Sequence, residues 1–133
     1  MDSKNKKQQN RWKNHNFGES LRHALSGLTT VWKDERNFKF DTVAAVAAIF
    51  LGLYLKLAVA EWFWIGWCII SVLTSELWNT VAENIIDLMT HYQRNPLAKK
   101  AKDMASAAVL LNAVFALIVG LVIFGTKIWL LIF

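Results

Sequence analysis

Three long apolar runs crowd a chain of only 133 residues. They cover roughly residues 43–60, 62–81 and 105–126, and the stretch from Trp62 to Ser75 holds no charged residue. A soluble fold of this size lacks the interior to bury three such runs, whereas a bilayer accepts them all. Twenty residues at 1.5 Å each reach about 30 Å, the thickness of a hydrocarbon core. The sequence therefore predicts an all-α integral membrane protein with three transmembrane helices, built as a single domain over residues 1–133.

The first run, Val43 to Ala60, carries one charge, Lys56, near the end from which its ammonium can reach the headgroups. Alanines at 44, 45, 47 and 48, followed by Gly52, offer a narrow face for helix contact. A tight turn at Ala60-Glu61 is expected to lead into Trp62, Trp64 and Trp67, which suit an interfacial belt. The second run should continue as helix to near Asp87. Tyr92 to Leu97 reads as a loop, because the residue before Pro96 is steered away from helical geometry. The third run is expected to start near Ala105, with Lys127 and Trp129 at its far boundary. Ahead of the spans, Phe17, Leu21, Leu25, Leu28 and Trp32 recur at helical spacing, which predicts an amphipathic surface helix at the membrane interface. Residues 1–14 read as a hydrophilic, flexible tail with no signal-peptide core.

Charge placement orients the spans and excludes several functions. Residues 1–41 hold nine basic side chains and residues 88–103 hold four, so the positive-inside rule puts the N-terminus and the 84–103 region in the cytoplasm. The basic tail suits acidic lipid heads or solvent better than nucleic acid. The single cysteine, Cys68, excludes an intrachain disulfide and a cysteine metal cluster and reads as packing. His15, His23 and His91 form no zinc motif, and neither a Walker loop nor the protein-kinase motif set occurs.

One feature of the second run is costly in a membrane. Glu76, Asn79, Glu83 and Asp87 fall within about 80° of arc on one helical face. Carboxylates there demand pairing, hydration or cations, and function is the default suspicion. Glu35-Arg36-Asn37 and Ala101-Lys102-Asp103 lie at the same boundary. Hard carboxylates suit Mg²⁺ when substrate phosphates complete its shell, and lysine offsets phosphate charge. The residues alone leave three readings open: a network holding the bundle together, phosphate or metal chemistry, or ion movement.

Glu76-Leu-Trp-Asn79-Thr-Val-Ala-Glu83, then Asp87 and Ala101-Lys102-Asp103-Met-Ala-Ser-Ala-Ala-Val-Leu, resembles the small prokaryotic diacylglycerol kinase family. The upstream Glu35-Arg36-Asn37-Phe38 is similar to its Gram-positive undecaprenol kinase branch, and the resemblance spans about residues 17–125. Asp41 departs from both branches, standing where one resembles a histidine-bearing pattern and the other a glutamate-bearing one. The resemblance implies a homotrimer in the bacterial cell membrane, with active sites between subunits near the cytosol. It implies transfer of phosphate from ATP, with Mg²⁺, to a membrane lipid alcohol, either undecaprenol or diacylglycerol. Glu76 would be the general base, and Glu35 and Glu83 metal ligands. Asn79, Asp87, Lys102 and Asp103 would form the nucleotide and phosphate site. Arg36, Asn37 and Asp41 would support the lipid side.

Overall fold

A computed structural model describes residues 16–133. The tail expected at 1–14, and His15, lie outside the described residues. Four helices follow in order: α1 Phe17–Asp34, α2 Arg36–Tyr54, α3 Val59–Thr90 and α4 Pro96–Ile132. The chain divides at Asp34 into two compact units, α1 being the helix of the first and α2–α4 those of the second.

α1 opens where Asn16 accepts the Glu19 backbone N–H at 2.8 Å, satisfying a donor that the first turn leaves free. It contains the whole Phe17, Leu21, Leu25, Leu28, Trp32 series, and all five side chains are exposed.

In the second unit, α2, α3 and α4 are each long and apolar enough to cross a membrane, which makes this a multi-pass membrane protein. Large apolar side chains line their outward surfaces, as lipid contact permits and water would not. α3 packs chiefly along α4 and more briefly along α2. Ala45, Ile65 and Cys68 are buried, the cysteine as packing. A Cβ at Gly52 would come within 2.8 Å of the Trp62 ring, so the absent side chain is what lets α2 and α3 close as a hairpin.

The helix ends differ from the expected ones in four places, each with a local cause. α2 begins at Arg36 rather than Val43, because Glu35 alone is extended (φ −98°, ψ 117°) and the chain re-enters helix at once. α2 also stops at Tyr54, and the turn lies at residues 55–58 instead of at Ala60-Glu61. Lys56 adopts φ 53° there, and the Leu57 N–H returns to the Gly52 carbonyl at 3.1 Å. Ala60 and Glu61 belong to the first turn of α3, where the Glu61 carboxylate accepts the Ala58 N–H at 2.6 Å. Lys127 of α4 reaches the same carboxylate at 3.0 Å and ties the two helices together at this end.

At the other end, α3 runs on through Asp87 to Thr90, and His91 and Tyr92 close it with φ 49° and 59°. The loop is residues 91–95, shorter than the expected Tyr92–Leu97. Pro96 starts α4 rather than interrupting it, since the first helical position needs no N–H. Asn95 caps it by accepting from Leu97 N at 2.8 Å and Ala98 N at 3.3 Å. The third long helix thus begins well before Ala105, and Lys99, Lys102 and Asp103 stand on it. At 1.5 Å per residue α3 and α4 reach about 48 and 55 Å, well beyond a hydrocarbon core of about 30 Å. Both are thus longer than a crossing requires, and charged residues gather at their ends near the 91–95 loop.

Candidate active site

The acidic face of α3 is held between the first turns of α2 and the early turns of α4. Asn37, Phe40 and Asp41 from α2, Glu76 and Asn79 from α3, and Ser106 from α4 line one cavity of about 260 Å³. Glu76 is its focus. The residue is only 6% exposed, and no hydrogen bond from the described residues reaches its carboxylate. The Thr80 hydroxyl donates to the Glu76 backbone carbonyl at 3.1 Å, which satisfies the threonine and leaves the acid group available. Among the described residues no fully buried side-chain nitrogen or oxygen lacks a partner, so the Glu76 oxygens border the cavity. A carboxylate among membrane-length helices is costly even so, which makes function the default suspicion.

The neighbouring charges deepen that cost. Asp41, Glu35 and Glu83 all act on Glu76 through their negative charge. Asn79 bridges helices: its amide donates to Glu83 Oε1 at 3.1 Å, and its oxygen accepts from the Ser106 hydroxyl at 3.4 Å. One hydrogen-bonded chain therefore runs from Ser106 through Asn79 to Glu83.

A second, wider cavity of about 760 Å³ lies nearer the α3–α4 loop, lined by Asp87, Thr90, Tyr92, Arg94, Lys102 and Asp103 among others. Lys102 Nζ meets Asp87 Oδ1 at 2.6 Å across the two helices, with both side chains partly buried. Asp103 pairs instead with Lys99 on its own helix at 2.6 Å, an exposed i, i+4 contact.

The ten residues singled out in the sequence thus divide into layers. Asn37, Asp41, Glu76 and Asn79 share the inner cavity, and Asp87, Lys102 and Asp103 share the outer one. Glu83 joins the inner group through Asn79, and Glu35 through its charge. Arg36 is exposed and lines neither cavity. Sequence reading missed Ser106. Its signal was present, since Ser106 lies one helical turn beyond Lys102 and so on the same face of α4.

Whether the site suits a divalent cation can be judged from its donors. Among the described residues no three His, Cys, Asp or Glu side chains form a metal-holding group. The carboxylates of Glu35 and Glu83, both close enough to act on Glu76, are hard oxygen donors. Mg²⁺ commonly takes one or two carboxylates and completes its shell with water and substrate phosphate. The donor chemistry of these two carboxylates is compatible with such a cation.

Three membrane-length helices with a polar cavity around Glu76 at one end define an integral-membrane protein. The family model of prokaryotic diacylglycerol kinase matches residues 22–124, and the chain belongs to that family. The undecaprenol kinase of Bacillus subtilis is 40% identical over 127 residues, covering 96% of this chain and 99% of that protein. A diacylglycerol kinase of Synechocystis is 37% identical over 103 residues, 76% of this chain and 58% of its own length. A diacylglycerol kinase of Helicobacter pylori is 39% identical over 97 residues, 72% of this chain and 74% of its own.

Proposed function

We propose that this chain is an ATP-dependent lipid kinase that phosphorylates undecaprenol. The observation that carries the reading is Glu76, a largely buried residue whose carboxylate takes no hydrogen bond from the described residues and borders a polar cavity among the membrane-length helices. Family membership favours group transfer over ion movement or a purely structural role. The end-to-end similarity to an undecaprenol kinase favours a polyprenol acceptor. Diacylglycerol is the second reading, supported by the Synechocystis and Helicobacter pylori relatives.

In the proposed reaction Glu76 accepts the proton of the lipid hydroxyl as its oxygen attacks the γ-phosphorus of ATP in line, and ADP leaves. Asn79 orients the phosphate side. The Asp87–Lys102 pair and Asp103 form the wall that receives the rest of the nucleotide, with the lysine offsetting phosphate charge. Glu35 and Glu83 would hold Mg²⁺, which supplies charge neutralisation on the phosphate oxygens when bound. Asn37 and Asp41 face the acceptor, with Arg36 at the rim. The lipid chain stays in the bilayer while ATP arrives from water. In this reading the protein is a homotrimer of the bacterial cell membrane whose active sites involve neighbouring subunits. A native mass measurement in nanodiscs that finds only single chains would reject the trimer.

Purified protein assayed side by side with undecaprenol and diacylglycerol is expected to transfer phosphate from ATP preferentially to undecaprenol. A clear preference for diacylglycerol overturns the substrate assignment. The orientation, with the N-terminus and residues 84–103 in the cytoplasm, rests on the basic residues flanking the spans. Cysteines substituted at Asn95 and Phe133, with Cys68 replaced, should label from opposite sides of the membrane, Asn95→Cys from the cytoplasm. Labelling of both from one side would break the three-span arrangement.

A further inference from the structure

Two ion pairs join α3 to α4, one toward each end of their contact. Lys102 meets Asp87 at 2.6 Å beside the outer cavity, and Lys127 meets Glu61 at 3.0 Å at the far end. The Glu61 carboxylate is fixed in turn by the Ala58 N–H at 2.6 Å. Glu61 and Asp87 lie 26 residues apart on α3, and Lys102 and Lys127 lie 25 apart on α4. At 1.5 Å per residue these are about 39 and 38 Å of helix. The matched spacing lets both pairs close in a single axial register of the two antiparallel helices.

Little between the two pairs selects that register. No α4 residue is fully buried, so no α4 side chain is locked into a hole on its neighbour. The groove along the seam is lined by small residues, Ser71 and Ser75 from α3 and Ala105 and Ala108 from α4. They let the helices approach closely but give them nothing to interlock. Trp64 meets Phe115 at 6.5 Å, yet both side chains are exposed. The Ser106–Asn79 hydrogen bond is long at 3.4 Å. In a bilayer the hydrophobic effect adds no preference, since lipid tails are as apolar as the side chains. Register therefore falls to the charges.

The two pairs differ in what the reaction asks of them. Lys102 stands on the wall that receives the nucleotide, where an arriving phosphate competes with Asp87 for its ammonium. Glu61 and Lys127 line neither polar cavity. Resting on the kinase reading above, we propose that the Glu61–Lys127 pair is the clasp that holds the α3–α4 register while Lys102 is engaged with phosphate. Both act as positioning residues, Glu61 from about 22 Å along α3 from Glu76. What they position is Asn79 and Glu83 on one helix against Lys102 and Ser106 on the other.

Glu61→Gln isolates the ion pair, because a glutamine oxygen can still accept the Ala58 N–H. It is expected to lower kcat for lipid phosphorylation by roughly tenfold, within the ~10²-fold that a displacement of about 1 Å can cost from far away. Lys127→Met should do the same, and Lys127→Arg, which keeps the charge, should stay near the parent. The Glu61→Gln/Lys127→Met double variant should be no worse than either single, and losses that multiply would overturn the shared role. Register is read directly by intrachain disulfide formation, with Cys68 replaced. Ser75→Cys is paired in turn with Ala105→Cys, Ala108→Cys and Asn112→Cys, successive turns of α4 on the same groove. A Lys102→Met background releases the inner pair without nucleotide. There one of the three cysteine pairs should dominate, and adding Glu61→Gln or Lys127→Met should spread the reaction over the neighbouring turns. Selectivity preserved in both variants overturns the proposal whatever the activity, as does selectivity lost with parental kcat in the Lys102-containing singles. Selectivity lost in a chain whose parent phosphorylates no alcohol supports the clasp and rejects the kinase reading alone.

Discussion

Glu76→Gln is expected to lower kcat for lipid phosphorylation by roughly 10²- to 10⁴-fold, the usual worth of a positioned general base. Glutamine keeps the size of the side chain and its place in the cavity but cannot take the hydroxyl proton. The change also removes one negative charge from a site where Asp41, Glu35 and Glu83 already repel it. Folding should therefore hold or improve, because the amide relieves like-charge repulsion and is less costly than a carboxylate among membrane-length helices. Assembly and the KM for ATP should stay close to those of the parent. A folded variant turning over within a few-fold of the parent would remove Glu76 from the base role.

Glu83→Gln should act through a different quantity. Asn79 donates to Glu83 Oε1 at 3.1 Å, and a glutamine oxygen at the same point can still accept that bond. The substitution therefore removes charge while keeping the hydrogen-bonded chain to Ser106. If Glu83 holds Mg²⁺, activity at fixed ATP should need about 10- to 100-fold more magnesium, comparable to losses when metal-site supports are removed. A magnesium titration that overlays the parent's would contradict the ligand role. Loss of activity without any shift in the magnesium midpoint would point to the nucleotide contact instead. The two variants are thus distinguishable: one lowers the ceiling of turnover and the other moves the magnesium requirement.

Much of the architecture was legible from periodicity and composition, because a bilayer imposes simple demands. A helix must supply about 20 apolar residues to cross it, and three such runs can be counted directly. The acidic face of α3 was equally legible, since residues three and four apart share a side of any helix. Helix ends were less so. Pro96 reads as a breaker until Asn95 is seen capping the turn that contains it. The turn of α2 into α3 depends on Lys56 adopting φ 53° and on Glu61 reaching back to Ala58, choices settled by local hydrogen bonding that hydropathy does not register.

Within the site the same boundary holds. The sequence by itself determined which carboxylates ride together on α3, because a single helix converts spacing into direction. Only the tertiary structure decided what meets them from other helices. It joined Lys102 to Asp87 across fifteen residues, brought Ser106 to Asn79, and placed Asn37 and Asp41 opposite Glu76. Those relations depend on the rotation and offset of one helix against the next. Side-chain packing sets both, through contacts such as Trp62 against Gly52, and no one-dimensional period encodes them.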